Sequence, residues 1–146
     1  MSYKGIYRPS NPKKYKGDQS NIIYRSLWER KFMNYCDLNE NIIEWASEEF
    51  WIPYLDPTTN RVRRYFPDFF IKYKDKENNI RRSVIEVKPM RETLEPKVTK
   101  GKSRKTLINE SMTYVKNQAK WKAAREFCDD RKLEFKIMTE KELGIR

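Results

Sequence analysis

Two short stretches constrain this chain more than any other feature. Residues 64–73 and 82–88 alternate with the two-residue period of a β-strand, and each carries an acid inside an apolar run. Asp68 lies in Tyr65-Phe66-Pro67-Asp68-Phe69-Phe70, and Glu86 lies in Val84-Ile85-Glu86-Val87-Lys88. Asp75-Lys76-Glu77-Asn78-Asn79 between them has the composition of a hairpin tip. Positions 68 and 86 average to 77, the middle of that tip, so the register sets Asp68 directly opposite Glu86 on one face. Lys88 points the same way as Glu86. A one-residue slip or a bulge would separate the acids.

Two carboxylates facing each other repel, so the pair must share a proton, meet cations or bind a metal. Either acid alone is an ordinary salt-bridge partner in a chain that is 36% charged. Both together, with Lys88 beside them, point to a site. An oxygen-only donor set suits Mg²⁺, with Mn²⁺ as a substitute, rather than zinc.

Composition narrows the chemistry. The 146 residues contain no histidine, which excludes His-dependent triads, His-ligated metal centres and His general bases. Cys36 and Cys128 are too far apart in sequence for metal-ligand spacing. Lys and Arg number 32 against 21 Asp and Glu, a net charge of +11. No apolar run approaches the ~20 residues of a membrane span, and no signal peptide is visible. A reduced, intracellular setting and an anionic partner, nucleic acid before membrane, are expected.

Residues 1–20 read as a basic N-terminal arm ahead of a single domain over 21–146. The arm carries Lys4, Arg8, Lys13, Lys14 and Lys16 with Tyr3, Tyr7 and Tyr15 interleaved. It is either a frayed tail or an arm on DNA phosphates, its tyrosines packing on the domain or on bases. A helix is expected over 27–38, capped by Ser26, with Trp28, Phe32, Tyr35 and Cys36 on one face. Glu29 falls at the edge of that buried arc, where a capping box competes with any role in a site. Strands are expected over 43–54, 64–73 (Pro67 marking an edge or bulge) and 82–88. An exposed loop follows over 90–106, then a helix over 107–129 with a stripe of Ile108, Met112, Val115, Ala119, Ala123 and Phe127. A last strand covers 134–139. The fold class is α/β: helix, three strands, helix, strand, a mixed sheet flanked by helices.

Pro67-Asp68 with Glu86-Val87-Lys88, on adjacent strands between two helices, resembles the PD-(D/E)XK nuclease superfamily and its restriction-endonuclease-like core. Tyr24-Arg25-Ser26-Leu27-Trp28-Glu29, Trp45-Ala46-Ser47-Glu48-Glu49-Phe50 and the Tyr65-Phe66-Pro67-Asp68-Phe69 stretch are similar to the head completion nucleases of T-even-type tailed phages. The leader's Tyr7-Arg8-Pro9 and Asn11-Pro12 fit the same group. The core is also similar to the transposon-end nuclease TnsA and to very short patch repair nucleases, though this chain lacks the latter's zinc ligands. The resemblance implies a Mg²⁺-dependent DNA endonuclease. It implies Asp68, Glu86 and the Val87 carbonyl as metal ligands, and Lys88 as the lysine that orients water and offsets phosphorane charge. Glu29 would be the helix acid for a second metal or its water, and Gln118 a polar residue beside the site unless it is a solvated helix residue. Capsid or portal proteins become partners beside double-stranded DNA, with no membrane or small-molecule cofactor. The setting becomes the host cytoplasm during assembly, or the virion.

Facing two acids, Lys88 is expected to stay charged and act electrostatically. Arg61, Arg63, Arg64, Lys97, Lys100, Lys102, Arg104 and Lys105, with Lys13 and Lys14 of the arm, are the candidate phosphate contacts, and no base-reading module is visible. The expected activity is trimming or processing of DNA ends with little sequence specificity. Two rivals stay open: a non-catalytic protein capping packaged DNA at the portal, and an RNA-binding module stacking bases on tyrosines.

Overall fold

A computed structural model describes residues 4–145, so Tyr3 of the leader lies outside the described residues. Its strands are β1 (Gly5–Ile6), β2 (Ile23–Tyr24), β3 (Ile42–Ser47), β4 (Ile52–Asp56), β5 (Arg61–Tyr65), β6 (Phe69–Lys74), β7 (Ile80–Val87) and β8 (Glu134–Met138). The helices are α1 (Leu27–Leu38), α2 (Arg104–Asp130) and the short α3 (Glu140–Leu143). The central sheet has the order β3-β6-β7-β8, with β8 parallel to β7 and the other pairs antiparallel. β7, α2 and β8 thus form a crossover unit that puts α2 on one face of the sheet.

Alternation along β6 and β7 sorts the core. Phe69, Ile71, Ile85 and Val87 face α1 and join Phe32, Met33 and Cys36. The opposite face meets α2, whose Trp121 and Ala124 pack with Ile52, Tyr54 and Tyr65 of the β4–β5 ribbon. On α1, Ser26 caps the helix by accepting the Glu29 N–H. Its buried arc is Phe32, Met33, Cys36 and Asp37, while Tyr35 turns to solvent. The assignment of Tyr35 to the inner face fails because the arc is rotated toward Met33.

The strand expectations need revision where two sheets meet. The run over 43–54 is two strands, β3 in the central sheet and β4 in the ribbon, separated at Glu48, whose φ is +52°. The run over 64–73 is likewise β5 and β6, broken at Phe66-Pro67-Asp68. Pro67 is fully buried there and leaves the ladder without a donor. The α2 stripe also shifts. Asn117, Trp121, Ala124 and Cys128 are the buried positions, and Ile108, Met112 and Val115 are exposed.

The leader is bound into the domain rather than projecting from it. β1 pairs with β2, and Tyr7 and Tyr15 are buried with their ring edges against Trp45. Asp37 is fully buried and accepts the Tyr7 hydroxyl at 3.0 Å and the N–H groups of Ser10 and Asn11 at 2.7 and 3.0 Å. The Lys14 ammonium donates to the carbonyls of Asp37 and Asn39 at 3.1 and 2.8 Å, at the C-terminal end of α1. That geometry commits Lys14 to the helix end rather than to phosphate.

Asp37→Ala strips the acceptor from three leader donors in a dry site. The loss expected in urea unfolding is about 3 kcal/mol. A loss below about 1 kcal/mol would mean that the leader is anchored by other contacts.

Candidate active site

The β6–β7 ladder ends at the pair Phe69↔Ile85, so the next position sets Asp68 opposite Glu86, the register read from the sequence. Asp68 sits in the bend just before β6, and Glu86 is the penultimate residue of β7. Both lie toward the α2 side of the sheet. Glu86 is 5% exposed, and its Oε2 accepts the indole N–H of Trp121 at 3.3 Å. Asp68 is half-buried, and its Oδ2 accepts the Val87 N–H at 2.8 Å.

Burial raises the Asp68 pKa well above its ordinary value, and repulsion from Glu86 and then Glu29 adds to the rise. The Val87 N–H pulls the other way and loses. Among the described residues, no ion pair relieves Asp68, Glu86 or Glu29.

Glu29 projects from the first turn of α1. Its side chain accepts the backbone N–H of Arg25 at 3.1 Å rather than that of Ser26, so only the Ser26 half of the capping box forms. Burial raises its pKa, and the Arg25 N–H partly offsets this. Its charge registers on Asp68. No group of three acidic or thiol side chains converges tightly enough to hold an ion among the described residues. The donor set is therefore an opposed pair, with Glu29 acting as nearby charge.

Lys88 follows β7, half-buried, its backbone N–H bonded to the Met138 carbonyl at 3.0 Å. This bond and the extended Pro89 (φ −59°, ψ 142°) continue the strand direction past Val87. Gln118 is half-buried, and no hydrogen bond links it to the acids. Its neighbour Asn117 is the buried polar residue, one turn before Trp121 on the inner face of α2. An inner stripe drawn through Ala119 and Ala123 hid this.

Three further residues shape the site. Arg25 grips Glu48 through two hydrogen bonds of 3.1 Å each, and the Glu48 N–H donates to the Asp68 carbonyl at 3.2 Å. Glu48 holds this position in the left-handed region of φ, which no periodicity argument reveals. Lys120 of α2 is half-buried, with its ammonium 5.8 Å from the centre of the Tyr65 ring. Burial lowers its pKa, while Glu86 raises it and Lys88 lowers it further. Nothing in a helix with no clear polar face marked Lys120 out.

The basic candidates divide. Arg63 pairs with Asp56 at 3.1 Å, and Lys102 bonds Glu110 and the Lys97 carbonyl at 3.0 and 2.9 Å. Arg64 lies over the Trp51 ring at 4.6 Å. Arg61, Lys97, Lys100, Arg104, Lys105 and Lys13 are exposed.

The sequence pattern described as the TnsA-like endonuclease N-terminal domain matches residues 39–140, which include β3 through β8 and both acids. The chain belongs to the TnsA-like endonuclease family. A restriction-endonuclease-like core follows from that membership and agrees with the mixed sheet between α1 and α2. The chain is also 38% identical over 143 residues to the head completion nuclease of Enterobacteria phage T4, covering 96% of this chain and 93% of that protein. This TnsA-like chain is a nuclease by descent.

The raised Asp68 pKa has a sign. The folded state binds the Asp68 proton more tightly than the unfolded state does, so this group favours folding at low pH. That contribution is lost as pH climbs from the ordinary value of 3.8 through the raised folded value. Asp68→Asn should therefore raise the Tm at pH 7 in EDTA and flatten the fall in Tm across that window. An unchanged or lower Tm at pH 7 would show that the acids are not in conflict.

Proposed function

We propose that this chain is a divalent-metal-dependent endonuclease that hydrolyses DNA phosphodiester bonds with little sequence specificity, processing DNA ends during phage head completion in the host cytoplasm. The observation that carries the reading is the opposed pair of half-buried Asp68 and buried Glu86, with no ion-pair partner among the described residues. Hard oxygen donors with unrelieved charge fit Mg²⁺ or Mn²⁺. Asp68 Oδ2 takes the Val87 N–H and Glu86 Oε2 the Trp121 indole N–H, and the two carboxylates would hold the ion with the Val87 carbonyl. Bound there, the cation would supply Lewis-acid stabilisation to the scissile phosphate.

The chain's own groups do the rest. Lys88 would bring its ammonium to phosphate oxygens and orient water, acting electrostatically in a site partly closed to solvent. Glu29, held by the Arg25 N–H, adds negative charge on the α1 side, where a water or a second ion would meet it. Arg25 and Glu48 fix the bend that presents Asp68. The exposed basic residues over 97–105 and at Arg61 and Arg64 would track the phosphate backbone, with capsid or portal proteins as partners in assembly.

Supercoiled plasmid incubated with the protein and Mg²⁺ or Mn²⁺ tests the proposal. Wild type should nick it, EDTA should abolish nicking, and Glu86→Gln and Lys88→Ala should each slow it by about 10²–10³-fold. Duplex binding with no nicking in either metal would replace the enzyme with a non-catalytic DNA-capping protein. In the same preparation, neutralising Lys100, Arg104 and Lys105 should weaken duplex binding equally for unrelated sequences. Its log–log salt slope should flatten by about one for each phosphate that the variant no longer neutralises. An unchanged slope would place the DNA on another face.

A further inference from the structure

We propose that Tyr65 is a positioning residue for Glu86: its phenol hydroxyl is a second donor, beside the Trp121 indole, that orients the Glu86 carboxylate for a divalent cation. The inference rests on the metal-dependent reading above. Tyr65 is the last residue of β5, paired with Ile52, and is only 4% exposed. Its ring packs in one cluster with Ile52, Tyr54, Ala124 and the Trp121 that touches Glu86. Yet its hydroxyl has no hydrogen-bond partner among the described residues. The Lys120 ammonium stands 5.8 Å from the ring centre and has no acceptor to offer that hydroxyl. Burial raises the phenol pKa, the charges of Glu86 and then Asp68 raise it further, and Glu86 is the side chain beside the hydroxyl, although no hydrogen bond of good geometry joins them.

A buried hydroxyl without a partner is costly, and phenylalanine would fill the same volume without that cost. The group makes sense as a donor whose acceptor comes into position when Glu86 turns to ligate. Outer donors of this kind fix the orientation of a metal-binding carboxylate, and losing one typically lowers metal affinity 10–100-fold. Tyr65 also ties the β4–β5 ribbon to the site: β5 ends on Tyr65, three residues before Asp68.

Three full-length proteins decide the matter: wild type, Tyr65→Phe and Tyr54→Phe, the last losing a second buried phenol from the same cluster. Each is melted in EDTA and then titrated with Mn²⁺ by calorimetry without DNA. Tyr65→Phe should melt at or above the wild-type temperature and bind Mn²⁺ about 10–100-fold more weakly. Tyr54→Phe should keep wild-type Mn²⁺ affinity. If Tyr65→Phe binds Mn²⁺ within twofold of wild type, the positioning role is wrong. It is equally wrong if Tyr54→Phe weakens binding as much, because cluster packing would then be the cause. If wild type itself binds no Mn²⁺ at millimolar concentration, the metal-dependent reading falls, and this inference with it.

Discussion

The antiparallel register of β6 and β7 is the constraint on which the rest of the molecule turns. It sets Phe69 against Ile85 and so brings Asp68 to Glu86 at the end of the ladder, on the side covered by α2. The backbone break at Phe66-Pro67-Asp68 has two effects at once. It releases the chain from the β4–β5 ribbon into the central sheet, and it delivers a carboxylate at the junction. α1 brings Glu29 from one side, and α2 brings Trp121, whose indole N–H meets Glu86, from the other.

The treatment of buried acids elsewhere in the chain shows how unusual this pair is. Asp37 receives a hydroxyl and two backbone N–H groups. Asp56, equally inaccessible, accepts the N–H and hydroxyl of Thr58 and lies within 3.1 Å of Arg63 and 3.8 Å of Lys116. These carboxylates are neutralised locally and serve the fold. Asp68 and Glu86 each receive one neutral N–H and otherwise face each other. Among the described residues, this acid pair has no ion-pair partner in a chain with 32 basic residues, which is the contrast the proposed metal site would explain.

Much of this was legible in the sequence, because register follows from midpoint arithmetic when a turn is short and polar. Asp75 accepts the N–H groups of Glu77 and Asn79, which fixes the tip where composition put it. The bounds of α1 were equally plain, since Ser26 supplies the cap that its residue type suggests. What escaped depended on tertiary context. Alternation runs unbroken from Tyr65 through Ile71, so nothing local says that the chain changes sheets at Pro67. The leader's basic and aromatic composition suits an arm, but the buried carboxylate of Asp37 gathers it onto α1. The inner face of α2 is set by what covers it. Only its second half packs on the ribbon and sheet, so Ile108, Met112 and Val115 obey the helical period without being buried. Asn117 was hidden for the same reason, since polarity on an inward face has meaning only once what it packs against is known.

Anomalous diffraction from crystals soaked in Mn²⁺ tests the central claim most directly. A peak is predicted in the space bounded by the Asp68 and Glu86 carboxylates, near the Val87 carbonyl, with the Lys88 ammonium facing the same space. A fully soaked crystal with no peak there, or with either carboxylate turned onto an arginine or lysine, would contradict the account.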